Sequence, residues 1–352
     1  MNFDKLSGKN KVIYESMWGH EDFLGEGIEA NSGSDSTTYK IVGDSKEACK
    51  IIENYYNLSN KELFEYKYKK AVSGNGDEEK KILTLHSSSR CALLCFYNVE
   101  EKPIVLNLNG ENIEFNYSTF EFKNPVIGYP SNMDVVLLSS DRKTVLFLES
   151  KFAEYFMSSG EKSAFISNSY RKKEAISKPI YDKIEQVSFD VKNSEKEVTD
   201  KNGEKKIQKG FILSSLVGET YPDGIKQMIS HYIGIIRRLK GDSLSSDKKE
   251  ENIAITYEVL NALNRVDSKV YLGEILFDGF VKPDWYGGMA PEEILNNYSR
   301  SYEKLATVLN NEIQSSKYAE KFQVLKEDIK YSDVMNNNKM QIEESILRFY
   351  KI

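Results

Sequence analysis

Two acidic residues and a lysine lie at the ends of two neighbouring apolar segments. Asp134 precedes the apolar run 135–138, and Glu149 follows the run 145–148, with Lys151 two positions later. Continuous apolar runs of this length are typical of central strands buried on both faces. Acids at the ends of such strands lie at the border of a core, where functional sites commonly form.

The polar turn at Asp141 and Arg142 predicts that the two runs form an antiparallel hairpin. Paired positions then sum to 283, so Asp134 lies opposite Glu149. Directly opposed residues have Cβ atoms about 5 Å apart and point to one face. Lys151 shares that face because side chains alternate along a strand.

Two carboxylates this close together repel each other unless a divalent cation lies between them. Mg²⁺ suits such a pair because it binds a few carboxylates plus several waters, and we expect Mn²⁺ to substitute. The lysine can position or deprotonate a water and stabilise charge on a phosphate. The alternative is an exposed hairpin with ordinary cross-strand charges.

The hairpin resembles the PD-(D/E)XK nuclease superfamily, which includes many restriction endonucleases. The resemblance implies that Asp134 and Glu149 bind the metal, that Ser150 adds its backbone carbonyl, and that Lys151 is catalytic. Met133 stands where a proline often precedes the aspartate.

Other segments extend the likeness. Residues 85–98 are similar to a segment upstream of the hairpin in uncharacterised bacterial restriction-endonuclease-like proteins, and Lys151-Phe-Ala-Glu154 is similar to the extended ending of their motif. Glu154 can equally be a helix-start residue. Gln227 resembles the glutamine that many superfamily members place beside the site, which implies that it orients the catalytic residues.

The helix predicted for residues 222–239 supports that assignment. Gln227, His231 and Arg238 fall on one stripe beside its apolar face, because steps of four and eleven residues nearly complete whole turns. Such a stripe can face phosphate, although each of the three can also be an ordinary helix residue.

The superfamily also tends to carry an acid on an early helix. The sequence leaves four candidates open: Glu15, Glu21, Glu26 and Glu29. Glu21 and Glu29 are better placed than the other two.

A few strands among many helices predict an α/β fold, and the resemblance implies a restriction-endonuclease-like core with a mixed central sheet flanked by helices, plus additional helices. We expect a mostly helical region (1–80), the nuclease core (81–280) with a lysine-rich insertion (about 158–209), and a helical C-terminal region (281–352).

Local patterns place the elements more finely. Helices are predicted at residues 46–68, 87–96, 180–191 and 222–239. Strands are predicted at residues 103–108 and 112–117 around Asn109-Gly110, and at 133–139, 144–151 and 270–277.

The net charge of −6 does not by itself predict a nucleic-acid partner, but binding depends on local basic patches. The candidates for phosphate contact are Arg171, Lys172, Lys173, Arg237 and Arg238. Three cysteines without a Cys-x-x-Cys pair suit a reducing cytoplasm, and no apolar run approaches the ~20 residues of a membrane span.

The sequence therefore predicts a cytoplasmic, Mg²⁺-dependent endodeoxyribonuclease, a restriction or defence enzyme that acts on DNA. By analogy, cutting both strands leads us to expect a homodimer. Two alternatives stay open: a catalytically inactive protein that keeps the nuclease fold for binding or as a scaffold, and an RNA or repair nuclease of the same superfamily.

Overall fold

The computed structural model describes residues 13–14, 17, 28–31, 38–73, 78–126, 130–155, 163–167, 189–199, 203–215, 222–244, 253–280 and 290–350. Within these residues the chain has an α/β fold, in which helices flank a curled, mixed sheet of seven strands. The α/β class and the mixed, helix-flanked sheet predicted from the sequence are confirmed.

The strands, in chain order, are β1 (Ile28–Asn31), β2 (Thr38–Ile41), β3 (Ile104–Leu108), β4 (Glu111–Asn124), β5 (Ser131–Ser139), β6 (Thr144–Lys151), β7 (Ser163–Ser167), β8 (Phe189–Thr199), β9 (Lys205–Ser215), β10 (Lys269–Leu276), β11 (Phe322–Val324) and β12 (Ile329–Lys330). The helices are α1 (Ala48–Tyr55), α2 (Lys61–Ala71), α3 (Glu78–Lys81), α4 (Ser88–Phe96), α5 (Pro222–Leu239), α6 (Ile253–Asn264), α7 (Pro291–Gln314), α8 (Tyr331–Asn337) and α9 (Glu344–Tyr350).

The large sheet has the order β11-β10-β6-β5-β4-β3, and β12 also pairs with β10. Strands β3 to β6 are antiparallel neighbours, whereas β10 runs parallel to β6 and to both β11 and β12. Strands β5 and β6 pair Val135 with Leu148 and Leu138 with Val145. These pairs sum to 283, so the register predicted for the hairpin is confirmed.

Helices cover the sheet on both faces, each over its own apolar core. One core includes side chains from α1, α2, α4, α8 and α9, and the other includes side chains from α5, α6 and α7. Helix α5 buries the apolar stripe that the sequence predicted, including Ile225, Ile229 and Ile233. Gly234 allows this helix to approach the sheet closely, since a Cβ there would lie 2.7 Å from Cβ of Asn124.

The two ends of the curled sheet come together near the C-terminal elements. Nδ2 of Asn109, after β3, donates to Oε1 of Gln323 on β11 at 3.1 Å. The side-chain amide of Asn338 binds both backbone groups of Val105, with Oδ1 accepting from its N–H at 2.8 Å and Nδ2 donating to its C=O at 3.1 Å. The outer edge of β3 is thus partly covered.

Several predicted elements differ from the structure. Residues 189–191, predicted as the end of a helix, begin β8, which pairs with β9 along its whole length in a separate three-stranded sheet. Hairpin pairing with β9 determines the conformation of these three residues. Residues 180–188 lie outside the described residues.

Other differences lie in the N-terminal and C-terminal regions of the chain. The helix predicted over 46–68 is divided into α1 and α2, because Asn57 has a φ of 47° and Asn60 begins the second helix with a side-chain cap to the N–H of Leu63 at 3.0 Å. The hairpin β1–β2 and the short strands β11 and β12 lie in regions predicted as mostly helical. No helix in the described part of the chain is long and apolar enough to span a membrane.

Candidate active site

The β5–β6 hairpin positions the two predicted metal ligands. Its pairing ends at Val135 and Leu148, so the next position brings Asp134 level with Glu149. The backbone N–H of Ser150 donates to Oδ2 of Asp134 at 2.7 Å. The aspartate on one strand therefore contacts the Glu-x-Lys segment on the other.

Lys151 is held between two other predicted residues. Its Nζ contacts Oε1 of Glu149 at 2.6 Å and donates to Oε1 of Gln227, on α5, at 2.8 Å. Both members of the Glu149–Lys151 pair are buried, with side chains 3% and 5% exposed. Three of the four residues predicted to be catalytic form one hydrogen-bonded cluster.

His231 completes this cluster from one turn further along α5. Its Nε2 lies 2.8 Å from Oε2 of Glu149, and its Nδ1 contacts Oγ of Ser131 at the start of β5. The sequence placed His231 on the same stripe as Gln227 but did not distinguish a site residue from an ordinary helix residue. The sequence did not show which strand residue lies beneath His231.

The third member of that stripe has a different environment. Arg238 donates from Nη2 to the carbonyl of Lys123 at 2.7 Å, and its guanidinium lies 5.6 Å from the centre of the Phe122 ring. Arg237 donates to the carbonyl of Val126 at 3.1 Å and contacts Asp242. Both arginines thus contact the protein itself, and the other phosphate-contact candidates, residues 171–173, lie outside the described residues.

The electrostatics of the two carboxylates are opposite. Burial, together with the negative charges of Glu149 and Glu121, raises the pKa of Asp134 well above its ordinary value. Burial also acts to raise the pKa of Glu149, but Lys151 and His231 outweigh it and lower that pKa to about 2. Glu149 is therefore a stable anion, whereas an ionised Asp134 calls for further positive charge.

The side chain and the backbone of Ser150 contact different groups. Its Oγ lies 2.8 Å from the hydroxyl of Tyr331 and donates to the carbonyl of Ser88 at 3.2 Å, on the face opposite Glu149. Since a strand residue directs its N–H and C=O to the same side, the Ser150 carbonyl shares the side on which Asp134 accepts the N–H.

These groups fit a hard divalent cation by the chemistry of their donors. The carboxylates of Asp134 and Glu149 and the carbonyl of Ser150 are all oxygen donors, which Mg²⁺ prefers. Among the described residues, no set of three or more His, Cys, Asp or Glu side chains is arranged to hold a metal. A cation here would need the carbonyl and water as well as the two carboxylates.

Two further acids lie level with the predicted pair. The neighbouring pairs Phe120–Val135 and Phe122–Met133 put Glu121 beside Asp134, and Glu121 has a φ of 50° within its strand. On the other side, Glu274 is the direct partner of Glu149. Sequence reasoning missed both residues. Glu274 lies on a strand far from the hairpin in the chain, where no local signal links the two, and Glu121 lies beyond the strand predicted at residues 112–117.

Two acids considered from the sequence have structural contacts elsewhere. Oε2 of Glu154 accepts from the N–H groups of Phe152 and Ala153 at 2.6 and 2.9 Å, which stabilises the turn after β6. Glu29 was considered for an early helix but lies on β1, where it forms an ion pair with Lys40 at 3.0 Å. Residues 15, 21 and 26 lie outside the described residues.

Compared with known proteins, the chain matches no family model, no curated protein and no solved structure.

Proposed function

We propose that this chain is a metal-dependent endonuclease of the PD-(D/E)XK type that hydrolyses phosphodiester bonds in DNA, as a restriction or defence enzyme. The observation that carries the proposal is the position of Lys151, 2.6 Å from Glu149 and 2.8 Å from Gln227. An acid and a lysine from one strand meet a glutamine that is distant in sequence, with Asp134 on the adjacent strand. The mixed sheet flanked by helices is compatible with a restriction-endonuclease-like core.

Each side chain has a distinct role in this mechanism. Mg²⁺ at Asp134, Glu149 and the Ser150 carbonyl would polarise the phosphate and lower the pKa of a bound water. Lys151 stabilises the negative charge that develops on the phosphate and helps to position the attacking water. Gln227 holds the ammonium group of Lys151 in place through its neutral carbonyl.

His231 is a positioning residue in the same mechanism. It engages the Glu149 oxygen that Lys151 does not contact, so the carboxylate is held at both ends. A fixed carboxylate loses little conformational freedom when it binds a cation, which favours preorganisation of the site.

Cleavage of supercoiled plasmid DNA in Mg²⁺ or Mn²⁺, with EDTA as the negative control, tests the proposal. Asp134→Ala and Lys151→Ala should each lower the cleavage rate by about 10²- to 10⁴-fold, the range for losing a catalytic acid–base or charge-stabilising group. Lys143→Ala is the matched control, because Lys143 is a half-exposed lysine at the hairpin tip that pairs with Asp267.

The assignment of roles is wrong if the two site variants cut as fast as the Lys143→Ala control. Parallel assays with plasmid DNA, single-stranded DNA and RNA identify the substrate. Cleavage confined to RNA would replace the DNA enzyme by an RNA-processing nuclease with the same chemistry.

One observation favours a second candidate, a catalytically inactive binding or scaffold protein. Both oxygens of Glu149 already have partners, Lys151 and His231, so the cluster is satisfied without a cation. Calorimetry with Mn²⁺ separates the two functions. Loss of one bound ion per chain in Asp134→Ala supports the nuclease, and binding that Asp134→Ala leaves unchanged supports the inactive alternative.

A further inference from the structure

Strand β10 lies between two acid-x-lysine segments. Glu274 on β10 pairs directly with Glu149 of the candidate active site. On the other side, Ile275 pairs with Ile329 in parallel register, so the preceding residues, Glu274 and Asp328, are level with each other. Neighbouring strands lie about 4.8 Å apart, and Glu274 therefore has an acid on both sides.

Glu274 and Asp328 also face the same helix. The hydroxyl of Tyr298 on α7 donates to Oε1 of Glu274 at 3.0 Å. Lys330 contacts Oδ1 of Asp328 at 2.6 Å and Oγ of Ser299, also on α7, at 3.0 Å. The two carboxylates thus occupy a common space between the sheet and α7.

Each carboxylate has one buried oxygen that has no hydrogen-bond partner in the described part of the chain, namely Oε2 of Glu274 and Oδ2 of Asp328. Glu274 is fully buried, and the side chain of Asp328 is only 4% exposed. A buried acceptor without a partner costs free energy. While both groups are ionised, two such oxygens on adjacent carboxylates cannot satisfy each other, because both are acceptors.

Charge also distinguishes this pair from its surroundings. Lys330 compensates Asp328, and Lys151 compensates Glu149, whereas the side-chain partner of Glu274 within the described ranges is a neutral tyrosine hydroxyl. Burial, with the charges of Glu149 and Asp328, raises the pKa of Glu274 to about 8 despite the opposing effect of Lys151 and Tyr298. A cation beside it would supply the missing positive charge.

We propose that Glu274 and Asp328 bind a hard divalent cation, Mg²⁺ or Mn²⁺, at a site separate from that of Asp134 and Glu149. The two unpartnered oxygens are its protein ligands, and water completes the coordination. Lys330, the ion-pair partner of Asp328, has a side chain that is 24% exposed. The inference does not depend on cleavage of nucleic acid.

Titration of the full-length protein with Mn²⁺, followed by electron paramagnetic resonance of the free ion, tests the inference. The parent protein should bind two Mn²⁺ per chain. Glu274→Gln and Asp328→Asn, which keep size and remove charge, should each bind one. Glu53→Gln is the matched control, since Glu53 is a buried acid on α1, and it should still bind two.

Combination with Asp134→Asn separates this site from the candidate active site. Asp134→Asn alone should bind one Mn²⁺, and its combination with Glu274→Gln should bind none. If the parent binds one ion that is lost with Glu274→Gln but kept with Asp134→Asn, the inference stands and the metal site of the proposed nuclease does not.

The inference is overturned if Glu274→Gln and Asp328→Asn bind as many ions as the parent. It is equally overturned if the parent binds no Mn²⁺, or one ion that only Asp134→Asn removes, because the two carboxyls then share a proton instead. Near-ultraviolet circular dichroism checks folding. If Glu274→Gln does not fold, Asp328→Asn is used for the test, because Asp328 is the more accessible of the two ligands.

Discussion

The Glu149–Lys151 and Asp328–Lys330 pairs have the same spacing and flank the same strand, but their surroundings differ. In both, the lysine Nζ lies 2.6 Å from a carboxylate oxygen. The first lysine is 5% exposed and contacts Gln227, whereas the second is 24% exposed and contacts Ser299. Both of these acid-x-lysine segments thus form an ion pair.

What distinguishes the first pair is the helix above it. Helix α5 directs both Gln227 and His231 at Glu149 and Lys151, and α7 gives the second pair no equivalent of the histidine among the described residues. The motif alone cannot separate a candidate active site from a second ionic pair. The side chains of the covering helix carry the difference.

The largest expected difference between the two pairs concerns stability. Lys151→Met removes the cation beside the buried Glu149 carboxylate and leaves it with His231. The free energy of unfolding should fall by roughly 3–5 kcal/mol. Lys330→Met leaves Asp328, whose side chain is 4% exposed, without its cation, but the lysine that it removes is 24% exposed, so the loss should be smaller, about 1–3 kcal/mol. Urea unfolding in EDTA measures both, and equal losses would mean that the two pairs are equivalent.

A smaller difference is expected for the second partner of each pair. His231→Ala leaves Oε2 of Glu149 and Oγ of Ser131 without their partner, at a cost of about 1–3 kcal/mol. Ser299→Ala removes one hydrogen bond to a partly exposed lysine and should cost roughly 0.5–1 kcal/mol. Thermal unfolding of the two variants checks this order, which would be reversed if α7 stabilised its pair more than α5.

The pH dependence of stability sharpens the comparison at Glu274, between the pairs. Its pKa is about 8 in the folded protein against an ordinary 4.5. Stability from this group is fully present below pH 4.5 and is lost as pH rises through 8, by up to about 1.4 kcal/mol per pH unit. Glu274→Gln should flatten the curve between pH 5.5 and 8 in EDTA, and an unchanged slope would contradict the raised pKa.

The smallest effect concerns Gln227, which has no charge. Gln227→Ala removes one hydrogen bond to Lys151, worth about 1.4 kcal/mol, so kcat for DNA cleavage should fall about tenfold. KM should stay within about twofold, since Gln227 orients the lysine rather than binding substrate. A change in KM alone would make Gln227 a substrate-binding residue.

Local patterns predicted the hairpin and α5 correctly because short-range geometry determines both. The turn at Arg142, with a φ of 59°, fixes the register of β5 against β6. In α5 the apolar stripe fixes which face is buried, and so directs Gln227 and His231 towards the sheet.

The acids level with this hairpin could not be predicted in the same way. Glu274 and Asp328 reach that level through parallel pairing between strands that are far apart in the chain, and tertiary packing sets such registers. Strand β8 shows the same limit, since residues 189–191, predicted to be helical, belong to a hairpin whose partner strand decides their conformation.

The coverage of β3 by Asn338 bears on how copies of this chain can associate. An exposed strand edge is a template for pairing with another chain, and at Val105 the asparagine amide occupies both backbone groups that such pairing would use. A homodimer joined through this edge would first have to release the segment after α8. Asn338→Ala should therefore promote self-association, because it frees both backbone groups of Val105.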